Sequence, residues 1–102
     1  MREYSVDYSA RVIWDIDRLT RWAAQQHTAS FAERYVNDII DEIKTLSYLA
    51  DVLPKCKYRL PKVYHPKANT LVVGHRKLTV IFHIDGEYVI VDKILPSCMI
   101  TY

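Results

Sequence analysis

The sequence predicts an α+β fold, β-α-α-β-β-β, with a helical hairpin packed on one face of an antiparallel sheet. Three observations predict it. A short alternating aromatic segment opens the chain. Two amphipathic stripes at helical spacing follow it. Three β-rich runs separated by turn signals come last.

Each element has its own justification. Glu3 to Tyr8 alternates, with Tyr4, Val6 and Tyr8 on one side and Glu3, Ser5 and Asp7 on the other, which is strand periodicity. Ser9 is placed to cap a helix from Ala10 to His27, whose apolar positions Val12, Ile13, Ile16, Leu19, Trp22 and Ala23 recur every three or four residues. Thr28 or Ser30 can cap a second helix, carrying the stripe Phe31, Tyr35, Ile39, Ile43, Leu46 and Ala50, widened by Val36 and Ile40. Two such helices with a short link form an antiparallel hairpin. Pro54 ends the helical part, and Asp51 to Lys67 is a long connection with Pro54, Pro61 and Pro66. Its Tyr58, Leu60, Val63 and Tyr64 imply that part of it packs against the body. Asn69 to His75, Lys77 to Ile84 and Glu87 to Leu95 read as a strand meander. Asp85-Gly86 signals a type I′ turn between the last two strands.

The chain has 102 residues, half of them apolar and a quarter charged, which fits one globular domain and excludes a disordered polymer. No apolar run approaches the ~20 residues of a bilayer span, and Met1 to Val6 lacks a signal-peptide core. Cys56 and Cys98 are too few for a disulfide framework or a zinc cage, so the reading is two reduced thiols in a cytoplasmic protein with no membrane partner.

Charge is segregated along the chain. Residues 1–54 hold six Lys/Arg and nine Asp/Glu. Residues 55–77 hold seven cations, Lys55, Lys57, Arg59, Lys62, Lys67, Arg76 and Lys77, and no carboxylate. Such a block points to an anionic partner, either nucleic acid or an acidic protein segment. The bland alternative is a solvated loop paired with the acidic helices.

Much chemistry is missing. Gly74 and Gly86 are the only glycines, so there is no phosphate loop, and no nucleophile elbow or zinc-protease motif occurs. Asp15/Asp17 and Asp41/Glu42 read as solvated helix surface. His75 and His83 fall on adjacent strands, but no third ligand accompanies them, so no metal and no cofactor is expected. Trp14 and Trp22 cannot both face one core, so one of them is expected to be partly exposed.

The strand–hairpin–meander order, the aromatic first strand, Leu71-Val72-Val73-Gly74 leading into a hydrophobic strand, and the run Ile81 to Val91 with its Asp85-Gly86 turn together resemble the RelE/ParE toxin superfamily. The resemblance spans roughly Glu3 to Leu95, and residues 1–102 read as a single RelE/ParE-like toxin domain. It implies the toxin of a bacterial type II toxin–antitoxin module, the kind also known as plasmid stabilisation proteins. RelE-like members cleave mRNA at the ribosome, without a metal. ParE-like members inhibit DNA gyrase. Both are neutralised by a cognate antitoxin, and for this chain the resemblance implies a homodimer or a toxin–antitoxin hetero-oligomer. RelE-like nucleases place an Arg, often with a Tyr, after the last strand. Here Pro96 to Tyr102 contains no Arg, Lys or His, and only Tyr102 could serve as that tyrosine. The chain therefore reads as closer to ParE-like members. A diverged endonuclease would draw on Arg59, His65, Arg76, Lys77, His83 and Tyr102, and an inactive relative is the third reading. The expected antitoxin- or target-binding residues are Lys55, Lys57, Arg59, Lys62, Lys67, Arg76 and Lys77. His83 has a plainer reading as a side chain covering the sheet's open face.

Overall fold

The computed structural model describes residues 3–53 and 59–99. Strand β1 (Ser5–Tyr8) leads into helix α1 (Ala10–Gln26), then α2 (Ala29–Lys44) and the short α3 (Leu46–Leu49). After the connection come α4 (Leu60–Tyr64), β2 (Asn69–Val73), β3 (Leu78–Asp85), β4 (Tyr88–Pro96) and a 3-10 turn, Ser97–Met99.

The helices start where the caps stand. The Ser9 hydroxyl accepts from the Val12 N–H at 3.3 Å, and the Thr28 hydroxyl accepts from the Phe31 N–H at 3.1 Å. The expected second helix through Ala50 is divided at Thr45, whose hydroxyl donates back to the Glu42 carbonyl. That local bond competes with the helical ladder and bends the chain, while Leu46 and Ala50 stay buried.

The sheet has the order β1-β4-β3-β2. Strands β2, β3 and β4 form the expected antiparallel meander, and β1 adds in parallel to β4, from Ser5↔Tyr88 to Tyr8↔Val91. The sheet is therefore mixed, and its first and last strands are neighbours. The β3–β4 turn differs from the expected type I′: Asp85 pairs with Tyr88, and positive φ falls on Gly86 alone (+61°). Glycine at the first loop position is the type II′ pattern.

Hydrophobic side chains sort onto two faces. Val80, Phe82, Val89, Val91 and Ile94 meet Val12, Ile39, Ile43 and Leu46 in the main core, under the helical hairpin. On the other face Ile81, Leu95 and Ala68 form a smaller cluster, with Leu60 and Tyr64 of α4 packed over it. Of the connection's residues expected to pack against the body, Leu60 and Tyr64 do so from α4, whereas Val63 is 78% exposed and Tyr58 lies outside the described residues.

Two surface readings need correction. Asp15 is not solvated: it is 7% exposed, and its carboxylate accepts from Lys93 Nζ at 2.7 Å and from the Ile94 N–H at 3.2 Å. β1 ends its pairing at Val91, so among the described residues no strand lies beside the β4 edge beyond it, and Asp15 takes the place of a strand acceptor. Trp14 and Trp22 are both exposed, at 69% and 49%, rather than one of them. No described helix is long and apolar enough to cross a membrane.

Candidate functional site: a histidine–aspartate cluster behind the sheet

β3 alternates its side chains between the two faces, so His83 shares the α4 face with Ile81. β4 carries an irregularity opposite it: Ile81 pairs with Lys93 and Phe82 with Val91, leaving Asp92 as the extra residue of a β-bulge. The bulge re-aims Asp92, whose Oδ2 lies 2.7 Å from His83 Nδ1. Ser9 ties the same point to α1, its N–H donating to the Val91 carbonyl at 3.0 Å and its hydroxyl to the Asp92 carbonyl at 3.2 Å.

A carboxylate at Nδ1 holds the imidazole proton there and leaves Nε2 as the acceptor in neutral His83. The His65 ring stacks on His83, with centroids 3.6 Å apart and planes within 1°. His65 accepts the Lys67 N–H at Nδ1, 3.1 Å away, so its own proton sits on Nε2 in the neutral form. Next to it, the Arg11 guanidinium lies over the Tyr64 ring, 5.2 Å from the centroid. The cluster thus joins α1, α4, β3 and β4.

The arrangement has the parts of an oriented acid–base pair. However, the His83 and Asp92 side chains are only 12% and 13% exposed, and His65 covers one ring face. A general base must come within about 3 Å of the proton it removes. The stack leaves little room for that, so the cluster fastens α4 to the sheet at least as well as it would serve catalysis. His83 is thus covered by His65, rather than lying on an open face of the sheet.

The sequence-expected residues separate into groups. His65 and His83 come together. Arg59 and Lys62 are exposed at α4, and Lys67 is exposed just before β2. Arg76 and Lys77 are exposed in the β2–β3 turn, at the opposite end of β3 from His83. Five residues of strand, roughly 17 Å, part them from the histidines, so they share no single centre with the stack. Lys55, Lys57, Cys56 and Tyr102 lie outside the described residues. Among the described residues, no three His, Cys, Asp or Glu side chains group as a metal site. Sequence reasoning missed Asp92, Arg11 and Tyr64. The signal for Asp92 was present: two consecutive polar residues, Asp92-Lys93, interrupt an otherwise apolar strand, a mark of a bulge.

A second feature lies at the turn end of the sheet. A groove of about 250 Å³ is lined by Asp15, Arg18, Leu19, Trp22, Leu78, Ile94 and Pro96. Trp22 also meets Tyr35 at 6.3 Å, and Tyr35 stacks with Phe31 at 6.1 Å, so an aromatic row runs on across the hairpin.

No family model and no curated protein matches the sequence. The fold, however, is RelE/ParE-like. A chain of the chromosomal ParDE TA system from P. aeruginosa matches it with a TM-score of 0.78 at 17% identity, over 92% of this chain and 96% of that one.

Proposed function

We propose that this chain is the toxin of a bacterial type II toxin–antitoxin module, a ParE-like protein that arrests growth by binding DNA gyrase in the cytoplasm. A cognate antitoxin would neutralise it. The observation that carries the reading is the match in fold to a chain of a ParDE TA system over nearly the whole of both chains. The sequence adds to it, because Pro96 to Tyr102 lacks the Arg, Lys or His that a RelE-like nuclease places after its last strand. The antitoxin would meet the exposed Arg59, Lys62, Lys67, Arg76 and Lys77 with acidic side chains, giving fast, salt-sensitive association. Lys55 and Lys57 belong to the same block.

One observation favours a second reading, a RelE-like, metal-independent mRNA endonuclease: the His83–Asp92 pair with His65 stacked on it. The two readings separate on induction of the chain alone in a susceptible bacterium. Lost plasmid supercoiling or gyrase-linked DNA breaks with intact mRNA is the expected result. Discrete new mRNA 5′ ends within minutes would replace it with the nuclease. Unimpaired growth would leave the inactive relative.

A further inference from the structure

The chain has two tryptophans, both on α1 and both exposed, Trp14 at 69% and Trp22 at 49%. Indole surface left in water costs free energy, and exposed apolar surface gathered in one place marks a contact site. The two stand eight residues apart with Arg18 midway. Trp14, Arg18 and Trp22 therefore form one strip along two turns of helix, roughly 12 Å long. Arg18 is exposed and forms no ion pair among the described residues, whereas Arg21 is paired with Asp17 at 2.8 Å.

The strip borders the groove. Arg18, Leu19 and Trp22 are its helix wall, and Leu78, Ile94 and Pro96 close it from the sheet. Asp15 is the one carboxylate in its lining, and it is already used twice, by the Lys93 ammonium and the Ile94 N–H. The groove is thus apolar in its walls and positive at its rim. Beyond Trp22 the aromatic row crosses to Phe31, 43% exposed, whose ring centroid lies 4.1 Å from that of His27.

We propose that this strip and groove seat an acidic amphipathic helix of a partner protein. Apolar side chains one and two turns apart on that helix would pack on Trp14 and enter the groove beside Trp22, and a carboxylate between them would meet Arg18. Tryptophan and arginine are the residues that most often carry the energy of a protein contact. A second copy of the chain fits worse: pairing the strip with its own image about a two-fold axis brings Trp14 to Trp22 but Arg18 to Arg18. None of the strip or groove residues belongs to the cationic block of residues 55–77. On the toxin reading the antitoxin takes that block, and the strip faces the protein that the toxin acts on. This last assignment rests on the toxin reading; the docking of an acidic helix does not.

The two indoles are the only ones in the chain, so they report the site themselves. The test is intrinsic fluorescence and acrylamide quenching of the purified chain, titrated with three synthetic helical peptides of about 18 residues. One carries leucine every third or fourth position flanked by glutamate, one has lysine in place of the glutamate, and one is a scramble of the first. The free chain should emit at long wavelength and be quenched readily. The acidic peptide should shift the emission to the blue, protect both indoles from the quencher, and bind about tenfold more tightly than the other two. Trp14→Phe and Trp22→Phe should each keep a shift from the remaining indole. Arg18→Glu should reverse the preference toward the basic peptide. Lys44→Gln, an exposed cation at the end of α2, should change nothing. The proposal is overturned if the acidic peptide leaves the spectrum unchanged, if the basic or scrambled peptide binds as well, or if Arg18→Glu keeps the wild-type preference. It is overturned in favour of a second copy if the free chain already emits to the blue and sediments as a dimer. Induction in a susceptible bacterium tests the assignment to the target. Trp14→Ser with Arg18→Glu should abolish growth arrest, and Lys44→Gln should keep it. Arrest that survives the double change removes the assignment and leaves the toxin reading. A wild type that does not arrest growth removes that reading and the assignment with it, while the docking of an acidic helix stands on the fluorescence.

Discussion

Asp15 holds two groups that have nowhere else to go. Its carboxylate meets the Lys93 ammonium and the Ile94 N–H at an open sheet edge. Asp15→Ala should lower stability by about 3 kcal/mol, because it strands a largely buried charge, and urea denaturation would measure the loss. Adding Lys93→Met should recover most of it, since the stranded ammonium is then gone. Position 15 was not legible as a buried site. It lies between the apolar and polar sides of α1, and only the place where β1 stops decides that a carboxylate is needed there. His75 and Arg76 are a similar case: they have φ of 56° and 69° in the β2–β3 turn, and a central His-Arg pair does not announce positive φ, as Asn-Gly would. Replacing the pair by Asn-Gly should add about 1–2 kcal/mol of stability, read by chemical denaturation. The Tyr8 hydroxyl is buried without a hydrogen-bond partner among the described residues, and burial raises its pKa above 10.0. The folded state therefore keeps this proton longer than the unfolded chain does. The stability it contributes is present below pH 10 and is lost as pH rises through the higher folded value. Ultraviolet titration should show a late-ionising tyrosine that joins the others once the protein is unfolded.

Among the elements, α4 is the weakly held one. It rests on Ile81, Leu95 and Ala68 through Leu60 and Tyr64, with the His65–His83 stack beyond its end. The main core, by contrast, draws on all four strands and three of the helices. Amide hydrogens of α4 should exchange well before those of β3, as local opening of the smaller unit requires less than global unfolding. Ile81→Ala should cost about 3 kcal/mol, and should raise the exchange of α4 more than that of α1. The larger elements were legible because their signals are local: Ser9 and Thr28 cap α1 and α2 as their side chains allow, and the meander follows its apolar runs. α4 was legible only as apolar residues inside a proline-rich connection. Its position depends on Ile81 and Leu95, which are distant in sequence. The break at Thr45 turns on one side-chain bond to a carbonyl, which apolar spacing does not record.

For the whole molecule, the decisive fact is the strand order. Helices α1 and α2 carry the chain from β1 across the sheet, and the chain returns to that strand only at its last one. The parallel pairing of β1 with β4 could not be read from alternation, since period two says which face a residue takes and not which strand lies beside it. The candidate site shared that fate. His65 and His83 were singled out from the sequence, while the pairing of His83 with Asp92 is a product of register and a bulge, and the His65 stack depends on where α4 is seated. The seating of β4 between β1 and β3 also sets a timetable for synthesis. While β4 is still inside the ribosome, β1 has no neighbour to pair with, and Phe82, Val80 and Ile81 lack half their strand contacts. The nascent chain can make its helices and the β2–β3 hairpin early, but the sheet closes late, through its most sequence-distant contacts. A message broken before the codons of Tyr88 to Pro96 would yield a polypeptide with no finished sheet. Translation has to run nearly through this stretch before the closed sheet, and the sites built on β4, exist.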